Sequence, residues 1–108
     1  FNSQEEVEAL APNFSKLSCL PSRGLIASAP GEDADFVSRS FFPHTGEDPV
    51  TGSAHTLMIP YWARVLNKKQ LKAYQCSARG GRLSCELVGE RVYIGGATVR
   101  YLDGTIFL

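Results

Sequence analysis

The one long helical pattern of this chain runs from Gly52 to Leu66 and reads GSAHTLMIPYWARVL. Its large apolar side chains recur at spacings of three and four residues, which is the period of an α-helix. Pro60 lies inside the pattern and removes one backbone hydrogen bond, so we expect a kinked but continuous helix. The spacing also predicts that Met58, Tyr61 and Trp62 belong to the hydrophobic core rather than to a ligand pocket.

Shorter patterns on both sides of this helix predict strands. Two buried strands are expected before it, and after it strands separated by glycine turns predict an antiparallel meander. The predicted strands cover residues 24–29, 35–42, 71–77, 81–87, 91–94, 97–102 and 105–108. Near the start of the chain, Ser3 and Glu6 match a capping box and predict a short helix over 4–11. One long helix against a curved sheet is an α+β fold, and 108 residues are sized for a single domain.

The balance of charge excludes some classes of partner. Lysine plus arginine number 11, and aspartate plus glutamate also number 11, so no net field attracts nucleic acid or an anionic membrane surface. The longest apolar runs fall far short of the roughly 20 residues that span a bilayer. We therefore expect a soluble protein that binds neither nucleic acid nor membrane.

The cysteines favour a cytoplasmic protein. Cys19, Cys76 and Cys85 are an odd set without C-x-x-C spacing, which argues against a disulfide framework and a zinc knuckle. We expect all three to be small buried hydrophobic side chains in a reducing compartment. The chain also starts at Phe1, without an initiator methionine or a signal peptide, and is expected to be a piece of a longer protein.

The residues that could carry chemistry lie just before the long helix. The segment from Phe42 to His55 reads FPHTGEDPVTGSAH and combines carboxylate, imidazole and hydroxyl groups with glycines. Gly52 and Ser53 lie where the first helical amides lack intrahelical acceptors and where the helix dipole adds about half a positive charge. Such a position favours a carboxylate ligand. A structural alternative stays open, in which Thr51 or Ser53 only caps the helix and Glu47 is solvated.

Other polar side chains have weaker claims to a functional role. His44 and His55 could bind a metal together with Asp48, but they do not share a helical face and no third convincing ligand accompanies them. No metal is therefore predicted. Arg79, which precedes a glycine pair, could face a substrate, although an arginine at a tight turn as often anchors neighbouring carbonyls. We rank the structural role of Arg79 first.

Several segments of the sequence carry a resemblance to a known family. They are Arg39–Pro43, Glu47–His55, the pair Tyr61-Trp62, Gln75–Gly81 with its Q-x-S-x-R-G-G pattern, and Val92–Ala97. Together they resemble the second lobe of the phenazine-biosynthesis-like, or PhzF-like, proteins of the diaminopimelate-epimerase-like superfamily. The resemblance extends over nearly the whole chain, from the first helix onward.

The resemblance implies a fold for the whole protein. PhzF-like proteins consist of two similar lobes, each wrapping a barrel-like, curved antiparallel sheet around one central helix, with the substrate in the cleft between them. Residues 1–108 would be the C-terminal lobe, and the N-terminal lobe would lie outside this sequence. The missing lobe and a small carboxylic acid are thus the expected partners. The exposed lobe interface would also favour association into a homodimer.

The resemblance also implies an activity. The characterised chemistry of the family is a proton shift in a small cyclic carboxylic acid, with a first-lobe glutamate as the principal acid/base and a contribution from a first-lobe histidine. Neither has a counterpart here, so Glu47 and His55 do not take their place. The implied function is a cofactor-independent isomerase, of which this lobe alone is inactive. A non-enzymatic binding or scaffold protein that retains the fold is the alternative.

Residue by residue, Asp48 resembles the second-lobe aspartate that hydrogen-bonds the substrate or the shuttled proton, and Ser53 resembles the serine beside it. Asp48 and Ser53 are therefore the expected catalytic residues. Thr51, Gly52 and Ala54 are expected to bind the substrate, with backbone amides of this turn holding its carboxylate. Racemases of the wider superfamily use a cysteine in each equivalent turn; this turn has none, so a two-thiol mechanism is disfavoured.

Overall fold

The computed structural model describes residues 1–108 and contains one six-stranded sheet with helices on both of its faces. The helices are α1 (Gln4–Glu8), α2 (Phe14–Leu17) and α3 (Gly52–Val65). The strands are β1 (Leu25–Pro30), β2 (Phe36–Phe42), β3 (Gly46–Asp48), β4 (Gln70–Gln75), β5 (Gly81–Val88) and β6 (Arg91–Gly95). The sheet order is β1-β2-β4-β5-β6, and β3 pairs with β2. The predicted α+β class is confirmed.

Helix α3 connects two parallel strands. β2 and β4 run parallel, with Phe36 opposite Ala73 and Ser38 opposite Gln75, whereas all other pairings are antiparallel. A helix between two strands carries the chain back to the end of the sheet where the first strand began, so the second strand enters in the same direction. The antiparallel meander predicted after the long helix is confirmed for β4, β5 and β6. The expectation that the whole sheet is antiparallel is wrong for the pair β2 and β4.

Two hydrophobic cores lie on opposite faces of the sheet. Under α3, Trp62 stacks on Phe36 with their ring centroids 5.6 Å apart, and the Trp62 indole donates a hydrogen bond to Ser28 Oγ at 2.8 Å. Met58 and Trp62 are buried as predicted, whereas Tyr61 is 51% exposed because it lies on the outer side of α3. On the opposite face, α1 and α2 cover a second cluster, which consists of Val7, Ala27, Ala29, Val37 and Phe41 with partly buried Leu10, Phe14 and Leu17 beside it.

The N-terminal helices differ from the prediction in extent and number. Ser3 Oγ accepts a hydrogen bond from the Glu6 amide at 3.3 Å, as a capping box requires, but the Glu6 carboxylate accepts from Asn2 rather than from Ser3. Helix α1 ends at Glu8, three residues before the predicted end. The short helix α2 was not predicted, although its cap is readable in the sequence: Asn13 Oδ1 accepts from the Lys16 amide at 3.0 Å.

The C-terminal segment does not form the predicted strands. Residues 97–108 have no regular secondary structure, and their side chains are exposed, including Val99 at 91% and Tyr101 at 99%. Their strand-like composition is insufficient, because a strand forms only where a neighbouring edge accepts its backbone hydrogen bonds. β1 and β6 remain the two outer strands, so this sheet is open and the predicted barrel-like closure is not seen.

The three cysteines occupy different environments. Cys85 on β5 is buried, and burial raises the pKa of its thiol to about 11. Cys76 follows β4 and is half-buried, which also raises the pKa of its thiol. Cys19 is exposed after α2, so its predicted burial is wrong. None of the three helices is long and apolar enough to cross a bilayer.

Candidate active site at the start of helix α3

Strand β3 brings the predicted site residues to the edge of β2. Asp48 pairs with Ser40 and is the last residue of β3, and α3 begins four residues later. The resulting cleft has a volume of about 330 Å³. It is lined by Arg23, Phe42, Thr45, Glu47, Asp48, Pro49, Thr51 and Ser53. The structure therefore brings Asp48, Thr51 and Ser53 together in one cleft.

The hydroxyl of Thr51 turns toward Asp48 rather than toward the helix. Thr51 Oγ1 donates to Asp48 Oδ2 at 2.7 Å, and Thr51 occupies the N-cap position without a side-chain cap hydrogen bond. The alternative in which Thr51 only caps the helix is therefore wrong. Only one carboxylate oxygen, Oδ2, receives the Thr51 proton, which leaves Oδ1 for a ligand.

The first turn of α3 is open on its cleft side. Gly52 is exposed, and a side chain added at its Cα would contact nothing within 4 Å, so a ligand can approach the backbone there. Ser53 is exposed, whereas the Ala54 side chain is buried. Ala54 can thus contact a ligand only through its backbone. Gly52 and Ala54 do not themselves line the cleft. The first amides of this 14-residue helix have no intrahelical acceptor, and the N-cap side chain does not satisfy them.

Glu47 has a structural role. Its two oxygens accept hydrogen bonds from Arg39 Nε at 2.7 Å and Arg39 Nη2 at 2.9 Å, and this hydrogen bonding raises the pKa of Arg39. Arg39 Nη1 donates in addition to the carbonyls of Val7, Glu8 and Leu10 at 2.8–3.2 Å. The alternative of a solvated Glu47 is wrong, because both of its oxygens are paired with Arg39 and its side chain is only 21% exposed. Through these contacts the Arg39 side chain bridges α1 and β3.

His55 is completely buried below the first turn of α3. Its Nδ1 lies 2.7 Å from the Thr51 carbonyl oxygen, and since a carbonyl can only accept, Nδ1 carries the proton. Burial lowers the pKa of His55, partly opposed by this hydrogen bond, so the ring is neutral at pH 7. His44 is exposed, and the two imidazoles therefore lie in different environments.

The burial of His55 predicts a dependence of stability on pH. Because its pKa is lowered from the ordinary 6.5, the unfolded chain binds a proton more readily than the folded chain. The contribution of neutral His55 to the free energy of unfolding is therefore complete above about pH 6.5. It is lost as the pH falls below that value, by at most about 1.4 kcal/mol per pH unit. Urea unfolding of the full-length protein between pH 7.5 and 5.5 measures this slope. The His55→Asn variant, which retains a donor for Thr51, should show a shallower slope; equal slopes would contradict the prediction.

Arg23 faces the same cleft and was not identified from the sequence. Its guanidinium lies 6.0 Å from the centroid of the Phe42 ring, and it belongs to none of the ion pairs of the chain. The next residue, Gly24, lies so close to β2 that a Cβ there would be 2.7 Å from the Phe41 carbonyl oxygen. The absence of a side chain at Gly24 therefore allows the backbone beside Arg23 to approach β2. No local pattern marks Arg23, since its position depends on the pairing of β1 with β2.

Arg79 does not anchor the turn in which it lies. Its side chain is exposed and donates no hydrogen bond to a neighbouring carbonyl, so the predicted structural role is wrong. It does not line the cleft either. The neighbouring contacts come from Ser77, whose hydroxyl donates to the Pro49 carbonyl at 2.7 Å. Gly81 packs so tightly on Val50 that a Cβ would lie 2.1 Å from Val50 Cγ2. These contacts hold the 49–50 turn of the site.

Comparison with protein families matches residues 1–104 to the PhzC-PhzF family of phenazine biosynthesis-like proteins. The chain belongs to this family. An isomerase of Pseudomonas aeruginosa, whose own function is uncharacterized, is 56% identical over 108 residues, covering 98% of this chain and 41% of the relative. The mouse phenazine biosynthesis-like domain-containing protein 2 is 50% identical over 93 residues, covering 78% of this chain and 32% of the relative.

A solved PhzC-PhzF structure has the same fold over the full length of this chain. The phenazine biosynthesis PhzC/PhzF protein of Clostridium difficile superimposes with a TM-score of 0.90 at 44% identity, covering 100% of this chain and 43% of that protein. The chain thus spans about two fifths of the length of these bacterial relatives.

Proposed function

We propose that the full-length protein is an isomerase that moves a proton within a small cyclic carboxylic acid, and that Asp48 and Ser53 are its active-site residues in this chain. The observation that carries the proposal is the cleft at the start of α3, where a carboxylate, a hydroxyl and uncapped helix amides lie together. The rest of the site belongs to a lobe outside these residues. The isomerase names of the bacterial relatives support the reaction class.

The proposed reaction is balanced without an electron donor or acceptor. A C–H bond breaks next to an unsaturated system, the double bond shifts, and a C–H bond forms at another ring carbon. The amides of the first turn of α3 hold the substrate's carboxylate, and the helix dipole favours that negative charge. Asp48 accepts or returns the proton, or hydrogen-bonds the group that does so. Ser53 donates a hydrogen bond to the substrate from the same side of the cleft.

Cyclohexa-2,5-diene-1-carboxylate is a suitable first probe for this chemistry. Its ring C–H next to the carboxylate is acidified by two flanking double bonds, and a proton shift produces a conjugated diene that absorbs in the ultraviolet. The experiment incubates the full-length protein with this acid and with a panel of related cyclic acids in D₂O. Enzyme-dependent deuterium incorporation, followed by NMR, supports the proposal. Binding of an acid without any exchange would instead support the binding-protein alternative.

Arg23 is expected to contribute to binding of the anionic substrate. We predict that Arg23→Gln raises KM about tenfold, which corresponds to the loss of about 1.4 kcal/mol from one exposed charge-assisted contact, while kcat stays within about twofold. Arg23→Lys retains the charge and should show a smaller rise. Initial rates with whichever acid of the panel undergoes enzyme-dependent exchange give both constants. An unchanged KM in Arg23→Gln would remove Arg23 from the binding site.

A further inference from the structure

Two short pairings share one edge of strand β2. β4 pairs with its first half, where Ser38 lies opposite Gln75, and β3 pairs with its second half, where Ser40 lies opposite Asp48. The end of β4 therefore meets the end of β3, and the completely buried Gln75 side chain lies against the turn that leads into α3. Gln75 belongs to the Q-x-S-x-R-G-G segment, for which the proposed reaction assigns no role.

The hydrogen bonds of the Gln75 amide have one possible direction. The Thr51 amide donates to Gln75 Oε1 at 2.8 Å, and because a backbone N–H can only donate, the oxygen of the side chain must face it. Gln75 Nε2 then donates to the Asp48 carbonyl at 2.6 Å and to Thr51 Oγ1 at 3.1 Å. Both protons of the amide are used.

The direction of the next hydrogen bond follows from this one. Thr51 Oγ1 accepts from Gln75, so its single proton is free to point elsewhere, and Asp48 Oδ2 lies 2.7 Å away. The carboxylate has no proton to donate when it is ionised, which makes it the acceptor. The proton of Thr51 is thus directed at Asp48. Its oxygen accepts from Gln75 and makes no hydrogen bond with the helix amides, which remain uncapped.

We infer that Gln75 and Thr51 are positioning residues that orient the Asp48 carboxylate in the cleft. This inference rests on the proposed role of Asp48 in proton transfer. It also changes the expected role of Thr51, because a threonine that is 4% exposed and hydrogen-bonded on both sides acts through Asp48 and not on the substrate. By keeping the Thr51 hydroxyl off α3, Gln75 in addition leaves the first helix amides available to a ligand.

Thr51→Val in the full-length protein tests the inference, with Thr51→Ser as its matched control. Valine has nearly the shape of threonine and retains the backbone bond to Gln75, so it removes only the hydroxyl. Because small misplacements of a reacting group cost about 100-fold, we expect kcat with cyclohexa-2,5-diene-1-carboxylate to fall by about that factor while KM stays within about threefold. Thr51→Ser should restore kcat, which a general loss of packing would not explain.

A crystal structure of Thr51→Val provides a readout that does not depend on the substrate. We expect the Asp48 carboxylate to rotate away from its wild-type position while β3 and α3 stay in place. An unmoved carboxylate together with an unchanged kcat would overturn the inference. If Asp48→Asn retains full turnover, the proposed function fails, and the crystal structure alone then decides the positioning role. If Asp48→Asn is inactive but Thr51→Val is fully active with Asp48 in place, only the positioning role fails.

Discussion

Asp48→Asn is expected to lower kcat of the full-length protein by about 10²–10⁴, the range that one proton-transferring group contributes. Asparagine has the shape of aspartate, and its carbonyl oxygen can still accept the Thr51 hydroxyl hydrogen bond at the position of Oδ2. It can neither bind nor return a proton at neutral pH. The variant therefore removes the proposed chemistry while retaining the local hydrogen bond.

The measurement is deuterium incorporation into the acid substrate, normalised to the concentration of folded protein. Asp33→Asn is the matched control, because Asp33 is an exposed aspartate in the turn after β1 and does not line the cleft. It should show wild-type turnover. Equal activity of Asp48→Asn and Asp33→Asn would exclude Asp48 from the reaction.

Arg39→Met is expected to lower the free energy of unfolding by roughly 3–5 kcal/mol, more than any other single substitution proposed for this chain. The side chains of Arg39 and Glu47 are only 13% and 21% exposed, so the substitution leaves a poorly solvated carboxylate without its bidentate partner. It also removes the donor that three carbonyls share, two in the last turn of α1 and one just after it. Since Glu47 precedes Asp48 on β3, the loss is expected to loosen the active site as well.

The control for this prediction is the other long-range ion pair of the chain. Lys68 Nζ lies 2.6 Å from Asp35 Oδ1, but the Lys68 side chain is 48% exposed, so Lys68→Met should cost no more than about 1 kcal/mol. The loss of stability in Arg39→Lys should fall between these two values, because a lysine retains the charge but cannot form the bidentate hydrogen bond. Urea unfolding monitored by circular dichroism ranks the variants. If Arg39→Met and Lys68→Met cost the same, Arg39 is not the connection between α1 and β3.

The double variant Arg39→Met, Glu47→Met separates the ion pair from the burial of an isolated charge. Removing both partners leaves no uncompensated carboxylate, so the double variant should be more stable than Arg39→Met alone. The difference measures how much of the loss comes from the unpaired Glu47. The remaining loss belongs to the carbonyls at the end of α1.

The features that were predictable from the sequence are those set by neighbouring residues. The helix over Gly52–Val65 follows from apolar spacing, and the Ser3 cap follows from a four-residue pattern. Asp48 and Ser53 could be predicted to lie together because only five positions separate them at a helix start. In each case the deciding interactions span about one or two helical turns.

The remaining features depend on which strand edges meet. The same edge of β2 accepts β4 and then β3, and this arrangement brings Gln75 to Asp48 across 27 positions of the chain. The pairing of β1 with β2 similarly brings Arg23 to the cleft. The strand-like residues 97–108 remain unpaired although their composition is typical of a sheet. Local sequence encodes periodicity and capping, but pairing depends on the backbone donors and acceptors that a distant strand presents, and only the assembled sheet provides them.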